Sequence, residues 1–441
     1  MTDPPVSTFL SKIRRPSNWR SIRIQPIQTQ NIPATDMAVM SKSRIIGAIE
    51  IGTAKVAVLI GEITDRRSLS IVGMGQCSSR GVIKGEVVDF KAASDCAHAA
   101  ILEAENRAGV RIEGVYLSQT GGHLSGFRNE ASVTVSAADN RVSYEDTERV
   151  KTLAKEKQIP PERTIIHHIR RPFRLDGRLE RNPVHLEGRR LEVGYWTVHG
   201  HASKVSDHIH VINGFSLHVD DIILSSLASG VMVTTQEERQ HGVLVLDIGR
   251  GTTDFALYQE GHCYVAGVIP VGGDHLTNDL SIGLRLTASQ AETLKLRFGS
   301  GVLQCRDRSQ RVWLNGDLSI GDRQVSRYSI ERILALRVSE LFEVVRKALG
   351  ANYVQENLGA GVVLTGGTSR LPMIDRAAQE VFKVPVRLGE NPGWAHEELK
   401  QPEYATVLGL LNYGLNFQGE NDSEPVRKSG LLGIFKTLVG A

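Results

Sequence analysis

Residues 243–254 read Val-Leu-Val-Leu-Asp-Ile-Gly-Arg-Gly-Thr-Thr-Asp, which is an apolar run followed directly by a glycine-rich turn. An uninterrupted apolar run of this length, ending at Leu246, is typical of a strand buried on both faces. A G-x-G pair that opens a helix would indicate a dinucleotide-binding fold, but here the chain returns to strand-like sequence from Phe255. The segment therefore predicts a hairpin with a glycine turn.

The same arrangement occurs twice more along the chain. Residues 44–51 lead into Gly52-Thr53 before a strand resumes at 56–60, and the apolar run 362–365 leads into Gly366-Gly367-Thr368-Ser369. Glycine lets a backbone approach a polyphosphate closely and turn its N–H groups toward it. Three such loops predict a phosphate-binding cleft rather than three unrelated tight turns. The sequence G-x-x-x-x-G-K-S/T does not occur, which excludes a P-loop.

A carboxylate ends the strand before each of the first two turns: Glu50 and Asp247. Mg²⁺ keeps most of its waters and takes few protein oxygens, so two carboxylates facing each other across a cleft suit a hydrated ion on the phosphates. The pattern therefore predicts a Mg²⁺ site between two related halves of the protein.

Composition limits the function classes. The chain has 441 residues, 41% of them apolar, with a formal net charge of +3, which indicates a globular protein with a large core and argues against a general polyanion binder. The four cysteines are far apart without a C-x-x-C pair, so we expect reduced thiols in the cytosol. No apolar run approaches the ~18 residues of a membrane span, and residues 1–43 predict a disordered basic tail.

Residues 123–201 differ from the flanking sequence, because short strand-like runs surround one helix that opens at Ser143. This stretch predicts an inserted subdomain. Residues 163–190 contain eight arginines, which could suggest nucleic acid. Asp176, Glu180 and Glu187 interrupt the run and aromatic side chains are scarce, so we expect no nucleic-acid partner.

The three glycine motifs resemble the phosphate and adenosine motifs of the actin, sugar-kinase and Hsp70 superfamily. Within it, residues 44–415 resemble the FtsA family of cell division proteins, and the most family-specific match is Asp176-Gly-x₅-Pro183-x₃-Gly188-x-Arg190 in the inserted subdomain. The resemblance implies an α/β fold of the actin-like, two-lobed type, in which duplicated ribonuclease H-like domains carry an FtsA-type inserted subdomain.

The resemblance also implies a division of the chain. The expected parts are a disordered basic tail (1–43), a first-half core (44–124 and 204–240) interrupted by the inserted subdomain (125–203), a second-half core (241–274 and 346–404) interrupted by a small subdomain (275–345), a closing helix (405–417), a linker (418–428) and an amphipathic membrane-binding helix (429–441).

ATP with Mg²⁺ is the implied ligand of the cleft. Glu50 and Asp247 would hold the waters of the Mg²⁺, and the residues implied in ATP binding are Gly52, Thr53, Lys55, Gly249, Arg250, Gly251, Thr252, Thr253, Glu292, Lys295, Gly366, Gly367 and Thr368. The chain departs from the family's usual pattern at Glu50, where most members have Asp, and at Arg250, where most have Gly. A serine at 225 stands where hydrolytic relatives place a water-orienting Glu or Gln, so we expect at most a slow ATPase.

The implied function is a polymerising protein that tethers FtsZ to the cytoplasmic face of the inner membrane at the septum. The C-terminal peptide of FtsZ would bind at Asn278, Asp279, Arg337 and Glu340, and later division proteins would contact the inserted subdomain. Two alternatives are a pilus-assembly ATP-binding protein and a metabolite kinase of the same superfamily.

The C-terminal residues predict a peripheral membrane contact. On a helix of ~100° per residue, one arc would carry the apolar side chains and the other Gly433, Lys436, Thr437 and Gly440. Such a helix would lie on anionic lipid rather than span it. The apolar residues are Leu431, Leu432, Ile434, Phe435, Leu438 and Val439.

Overall fold

A computed structural model describes residues 44–64, 68–314 and 322–417 of the chain. The first half begins with the predicted hairpin, in which antiparallel pairing brings Glu50 opposite Ala57. Its first elements are β1 (Arg44–Ile51), β2 (Lys55–Ile63), β3 (Leu69–Ser78), β4 (Val82–Ile83), β5 (Glu86–Val87), α1 (Phe90–Ala108) and β6 (Gly114–Gln119).

The sequence predicts a helix from about Asp89 with a stop at Gly109, and helix α1 confirms it. Asp89 caps its first turn by accepting a hydrogen bond from the Ala92 N–H, and Gly109 ends it in the left-handed conformation at φ +68°. The buried face is made of small side chains because the helix packs closely on β3. A Cβ at Gly75 would lie 2.0 Å from the Ala100 carbonyl oxygen, so only glycine permits this approach.

The inserted subdomain has its own five-stranded sheet and a separate small core. Its elements are β7 (Ser125–Thr134), α2 (Tyr144–Lys155), β8 (Arg163–Arg170), β9 (Phe173–Leu175), β10 (Arg178–Glu180) and β11 (Arg190–His201). Ser143 and Asp146 form a reciprocal capping box at the start of α2, as expected from the sequence. The apolar alternation at 131–136 predicts a strand there, but β7 begins at Ser125, because pairing with β11 extends back to Ser125 opposite His199.

The chain then completes the first sheet, whose order is β12-β6-β1-β2-β3, and builds a second one. The connecting elements are α3 (Ala202–Asn213), β12 (His218–Leu224), α4 (Ser225–Val233) and α5 (Gln236–His241). The second half contains β13 (Val243–Ile248), β14 (Thr253–Gln259), β15 (His262–Ile269), α6 (Gly273–Leu284), α7 (Ala288–Phe298), β16 (Arg311–Leu314), β17 (Arg323–Ser326), α8 (Arg327–Leu349), β18 (Val362–Thr365), α9 (Ile374–Phe382), β19 (Val386–Leu388) and α10 (Ala405–Phe417).

The second sheet, β15-β14-β13-β18-β19, repeats the arrangement of the first. In each sheet a hairpin lies beside a parallel strand: β1 pairs with β6, and β13 pairs with β18. The apolar run 265–271 predicts a strand to Val271, but β15 ends at Ile269, because Gly272 caps α6. Pro372 predicts the start of a helix, but α9 begins at Ile374, because Met373 precedes it in the left-handed conformation.

Helix α10 returns to the first half and crosses α4. A Cβ at Gly409 would lie 2.1 Å from the Ala228 carbonyl oxygen, so the two helices touch through backbone. Among residues 44–64, 68–314 and 322–417, no helix is long and apolar enough to cross a membrane. The predicted basic tail, linker and amphipathic helix lie outside these described residues.

We expect low pH to weaken the contact between β8 and β12 and so to lower the stability of the protein. The Leu224 N–H donates to His167 Nε2 at 3.2 Å, and burial, with the neighbouring His168, lowers the pKa of His167 to about 4. Because the unfolded-state pKa is about 6.5, the unfolded chain binds more protons between pH 4 and 6.5, and stability is lost as the pH falls through that window. At pH 5 this histidine should cost about 1–2 kcal/mol of the free energy of unfolding.

The measurement is urea unfolding at pH 7 and pH 5 for the native protein and for His167→Gln, whose amide oxygen can still accept the hydrogen bond. Between pH 7 and pH 5, the variant should lose about 1–2 kcal/mol less of its free energy of unfolding than the native protein. Equal pH dependence in both proteins would contradict the assignment.

Candidate functional site

The three glycine-rich turns meet at a cleft of about 790 Å³ between the two sheets. All the residues predicted to bind ATP or Mg²⁺ line this cleft except Thr253. The fold brings them together because each hairpin carries its turn to the same edge, where β18 delivers the third one.

Thr253 is the predicted ATP-binding residue that does not line the cleft. Its side chain is fully buried and donates a hydrogen bond to the Val271 carbonyl oxygen at 2.8 Å, on the far side of β14 from the cleft lining. Side chains alternate along a strand, so Thr252 and Asp254 face the cleft while Thr253 turns away. Through this hydrogen bond Thr253 fixes the segment that follows β15 against β14.

The two phosphate-type turns have the same backbone construction. The Gly52 N–H donates to the Lys55 carbonyl oxygen at 2.9 Å, and the Gly249 N–H donates to the Thr252 carbonyl oxygen at the same distance. The turns also touch, since a Cβ at Gly251 would lie 2.4 Å from Thr53 Oγ1. This close approach places the turn backbones of both halves around one small volume, which suits a polyphosphate.

Buried carboxylates lie beneath these turns. Glu50 Oε2 is buried without a hydrogen-bond partner among the described residues, while Thr406 Oγ1 donates to Asp247 Oδ2 at 2.9 Å. Burial, opposed by Lys55, raises the pKa of Glu50 to about 7, and burial also raises the pKa of Asp247. Ionisation of both carboxylates is therefore unfavourable in spite of Lys55, and a cation in the cleft would favour it.

These donors fit a hydrated Mg²⁺ better than a directly ligated metal. Within the described parts of the chain, no three His, Cys, Asp or Glu side chains are close enough to hold a metal ion among themselves. Mg²⁺ commonly keeps several waters and takes its remaining oxygens from a carboxylate and the phosphates. The orphaned Glu50 oxygen is the observation that favours such an ion.

Lys55 connects the first turn to the segment before α10. Its Nζ donates to the Glu403 carbonyl oxygen at 2.7 Å and lies 3.5 Å from the centre of the Tyr404 ring. Burial lowers the pKa of Lys55, although Glu50 opposes that change. The ammonium therefore faces both the carboxylates and the cleft, where a phosphate would attract it.

Glu292 and Lys295 form the ion pair expected for one turn of a helix. Glu292 Oε2 and Lys295 Nζ are 2.7 Å apart, and Lys295 also donates to Thr277 Oγ1 at 2.9 Å and to the Gly273 carbonyl oxygen at 3.2 Å. Burial raises the pKa of Glu292, but hydrogen bonds from Lys295 and Thr277 outweigh it and lower the pKa overall. An ionised carboxylate at the cleft wall can accept hydrogen bonds from ribose hydroxyls.

The third turn has a backbone that only glycine tolerates. Gly366 has a φ of +83°, and a Cβ there would lie 2.4 Å from Asp247 Oδ1. Thr368 Oγ1 donates to the Gly249 carbonyl oxygen at 2.9 Å, which ties this turn to the second one. With Gly367 also on the cleft lining, the wall is bare backbone against which a planar base can lie.

Arg250 is held by a neighbour rather than directed freely into the cleft. Its Nε donates to Asp274 Oδ1 at 2.7 Å, and the side chain is about half exposed. The hydrogen bond and charge of Asp274 raise the pKa of the guanidinium. The arginine that replaces the usual glycine therefore has a partner on α6 at the rim.

The sequence did not identify Thr120 and Asp254 as site residues. Thr120 Oγ1 donates to Asp254 Oδ1 at 2.8 Å, and Thr252 Oγ1 donates to Oδ2 at 3.1 Å, which joins the two halves beneath the cleft. Burial and Asp247 raise the pKa of Asp254 well above its usual value. Asp254 ends the second glycine motif and so carried a signal, whereas nothing in the sequence around Thr120 distinguished it.

The four residues predicted to bind FtsZ lie away from the cleft, on α6 and α8. Arg337 is 2.8 Å from Glu340 Oε2 and donates to Asp279 Oδ1 at 3.0 Å, while Asn278 is exposed beside them. The large side chains of Ile282 and Leu336 are also exposed, at 69% and 64%. The structure thus groups Asp279, Arg337 and Glu340 by direct contact, and the exposed Asn278 precedes Asp279 on α6.

Comparison with protein families identifies two regions. A family described as "Cell division protein FtsA" matches residues 244–409, and one described as "SHS2 domain inserted in FTSA" matches residues 121–199. The curated protein "Cell division protein FtsA" of Pseudomonas aeruginosa is 33% identical over 89% of this chain and 94% of its own length. The Escherichia coli K12 protein of that name is 32% identical over 84% and 90%.

Solved structures share the fold at low sequence identity. The "PilM-PilN type IV pilus biogenesis complex" has a TM-score of 0.57 at 17% identity, covering 84% of this chain and 98% of that one. MreB5 of Spiroplasma citri bound to ADP has a TM-score of 0.50 at 14% identity, covering 86% and 99%. The fold is therefore actin-like with the inserted subdomain expected from the sequence.

Proposed function

This chain belongs to the FtsA family of cell division proteins, and we propose that it binds ATP with Mg²⁺, polymerises and tethers FtsZ filaments to the inner membrane. Later division proteins would then contact the inserted subdomain. The convergence of three glycine turns on buried carboxylates, one of them with an orphaned oxygen, is the observation that carries the nucleotide part. Family membership favours this function over the pilus-assembly and metabolite-kinase alternatives.

A single reconstitution tests the whole proposal. The purified protein with ATP and Mg²⁺ should co-sediment with anionic liposomes and carry FtsZ with it. Without nucleotide the recruitment should fall, because nucleotide between the two halves would stabilise the polymer-competent state. Recruitment of FtsZ that is independent of both nucleotide and lipid would contradict the proposal.

Hydrolysis of ATP is expected to be slow. Ser225 lies on the cleft wall with its hydroxyl 3.4 Å from the Gln119 carbonyl oxygen, and a serine orients an attacking water less well than a longer carboxylate or amide side chain. Steady-state phosphate release should stay well below ~1 s⁻¹. A turnover in the ordinary enzyme range would overturn this prediction.

FtsZ binding is assigned to the surface of α6 and α8. Arg337→Glu should weaken binding of the FtsZ C-terminal peptide by at least ~10-fold, because it reverses the charge at the centre of the group and repels Asp279 and Glu340. Fluorescence anisotropy with a labelled peptide measures the change.

The matched control is Arg332→Glu, since Arg332 is exposed on the same helix and outside this group. It should leave peptide affinity within ~2-fold, and both variants should bind ATP normally. If the two substitutions weakened peptide binding equally, the loss of affinity would result from the overall charge of the protein and not from this surface.

A further inference from the structure

A second cavity lies where the inserted subdomain meets the second half of the protein. It has a volume of about 280 Å³, and residues of β7, β9, β10 and β11 form one side while Tyr264 of β15 forms the other. Trp196 Nε1 donates to the Ala266 carbonyl oxygen at 2.7 Å beside it, which holds the two parts together. The cavity is separate from the nucleotide cleft and shares none of its lining residues.

Four arginines and two glutamates line this cavity, which gives it a net charge of +2. They are Arg128, Arg171, Arg174, Arg190, Glu130 and Glu192. Two of the arginines are neutralised locally, because Arg128 pairs with Glu130, and Arg190 lies 2.7 Å from Glu192. The excess positive charge therefore comes from Arg171 and Arg174.

Arg171 is the unusual member. Its side chain is 8% exposed, and its guanidinium lies 4.6 Å from the centre of the Tyr264 ring and donates one hydrogen bond to the Tyr264 carbonyl oxygen at 3.1 Å. Its Nε is buried without a hydrogen-bond partner among the described residues, and Glu130 approaches only to 3.8 Å. Burial and the nearby Arg128 lower the pKa of Arg171. A buried guanidinium with an unused N–H donor lowers the free energy of unfolding unless a ligand supplies the missing hydrogen-bond acceptor.

Arg174 supplies the second charge from the cavity rim. It is exposed and forms no ion pair within the described residues. Arg171, which Glu130 approaches only to 3.8 Å, and Arg174 together match a dianion. A phosphoryl group carries about −1.5 to −2 at pH 7, whereas a carboxylate carries one charge. The planar fork of arginine also suits phosphate oxygens.

We propose that this cavity is a binding site for a phosphoryl group, in which Arg171 and Arg174 contact the phosphate oxygens. The bound group would bridge the inserted subdomain and β15, and would stabilise their contact from a position distant from ATP. The phosphate could belong to a free small molecule or to a lipid headgroup, and the chemistry of recognition is the same for both.

Equilibrium dialysis of the full-length protein against labelled inorganic phosphate tests the site. Arg174→Gln and Arg171→Gln should each weaken one saturable binding event at least ~10-fold, because each removes a charge-assisted contact. Arg178→Gln is the matched control, since Arg178 is exposed on the adjacent strand β10 and outside the cavity lining; it should stay within ~2-fold. Thermal unfolding of each variant verifies that it folds. Arg174 is exposed, so Arg174→Gln should fold and can test the site even if Arg171→Gln does not fold.

The proposal would be overturned if phosphate showed no saturable binding that Arg174→Gln weakens. It would also be overturned if Arg178→Gln weakened that binding equally. Displacement of phosphate by acetate at equal concentration would also overturn it, because it would indicate a carboxylate site. Vesicles containing phosphatidic acid separate the two sources: weaker vesicle binding by Arg174→Gln than by Arg178→Gln assigns the site to a lipid headgroup, and equal binding assigns it to a free phosphate compound.

Discussion

Replacing Asp247 with alanine is expected to lower the affinity for ATP and Mg²⁺ by roughly 100-fold or more, because one of the two carboxylates assigned to the ion's waters is removed and only Glu50 is left. Asp247 lies at the centre of the cleft, between Gly366, whose backbone approaches it closely, and Thr406, which donates to it. Isothermal titration with MgATP measures the affinity directly.

The same substitution should leave the empty protein folded. Burial raises the pKa of Asp247, so its ionised form is unfavourable in the empty cleft, and alanine removes that penalty. We therefore expect an unchanged or higher melting temperature without nucleotide, and loss of the increase that MgATP gives the native protein. Glu380→Ala, which removes an exposed carboxylate on α9 of the same half, is the control. Unchanged MgATP affinity in Asp247→Ala would disprove the assignment of the cleft.

The fold was predictable where local sequence and tertiary packing agree. The buried face of α1 and the capping box at Ser143 could be identified because helix periodicity and end signals are local. The ends of strands and helices were less predictable where they depend on pairing or packing with another element. Strand β7 begins six residues before the predicted run only because β11 is long enough to pair with it, and no pattern within 125–130 indicates this.

The site was predictable at its turns and less so between them. Glycines mark a turn in the sequence because the backbone geometry requires them, as at Gly366. Thr253 was predicted with the whole motif, and strand alternation turns its side chain away from the cleft lining, which a motif taken as a unit does not indicate. Thr120 and Glu403 could not be found, because folding over long sequence separations brings them to Asp254 and Lys55.

Deleting residues 429–441 is expected to release the protein from anionic liposomes while leaving MgATP binding intact. These residues lie outside the described part of the chain, so the prediction rests on their sequence. On a helix, six apolar side chains would fall on one arc, and Arg427, Lys428 and Lys436 would add about 1 kcal/mol each near anionic lipid. One copy of such a short helix should bind weakly, because ordering it opposes the gain from burial.

Polymerisation would make this weak contact effective, since each later helix on a filament binds as an intramolecular event. Phe435→Glu should therefore reduce the membrane-bound fraction nearly as much as the deletion, because it places a charge in the apolar arc. Thr437→Glu makes the same change of charge on the polar arc and should retain most binding, with the difference read from co-sedimentation with liposomes in the presence of ATP. Equal losses in the two variants would mean that net charge holds the protein on lipid, and normal binding of the deletion variant would move the contact to Phe9, Leu10 and Ile13 of the basic N-terminal segment.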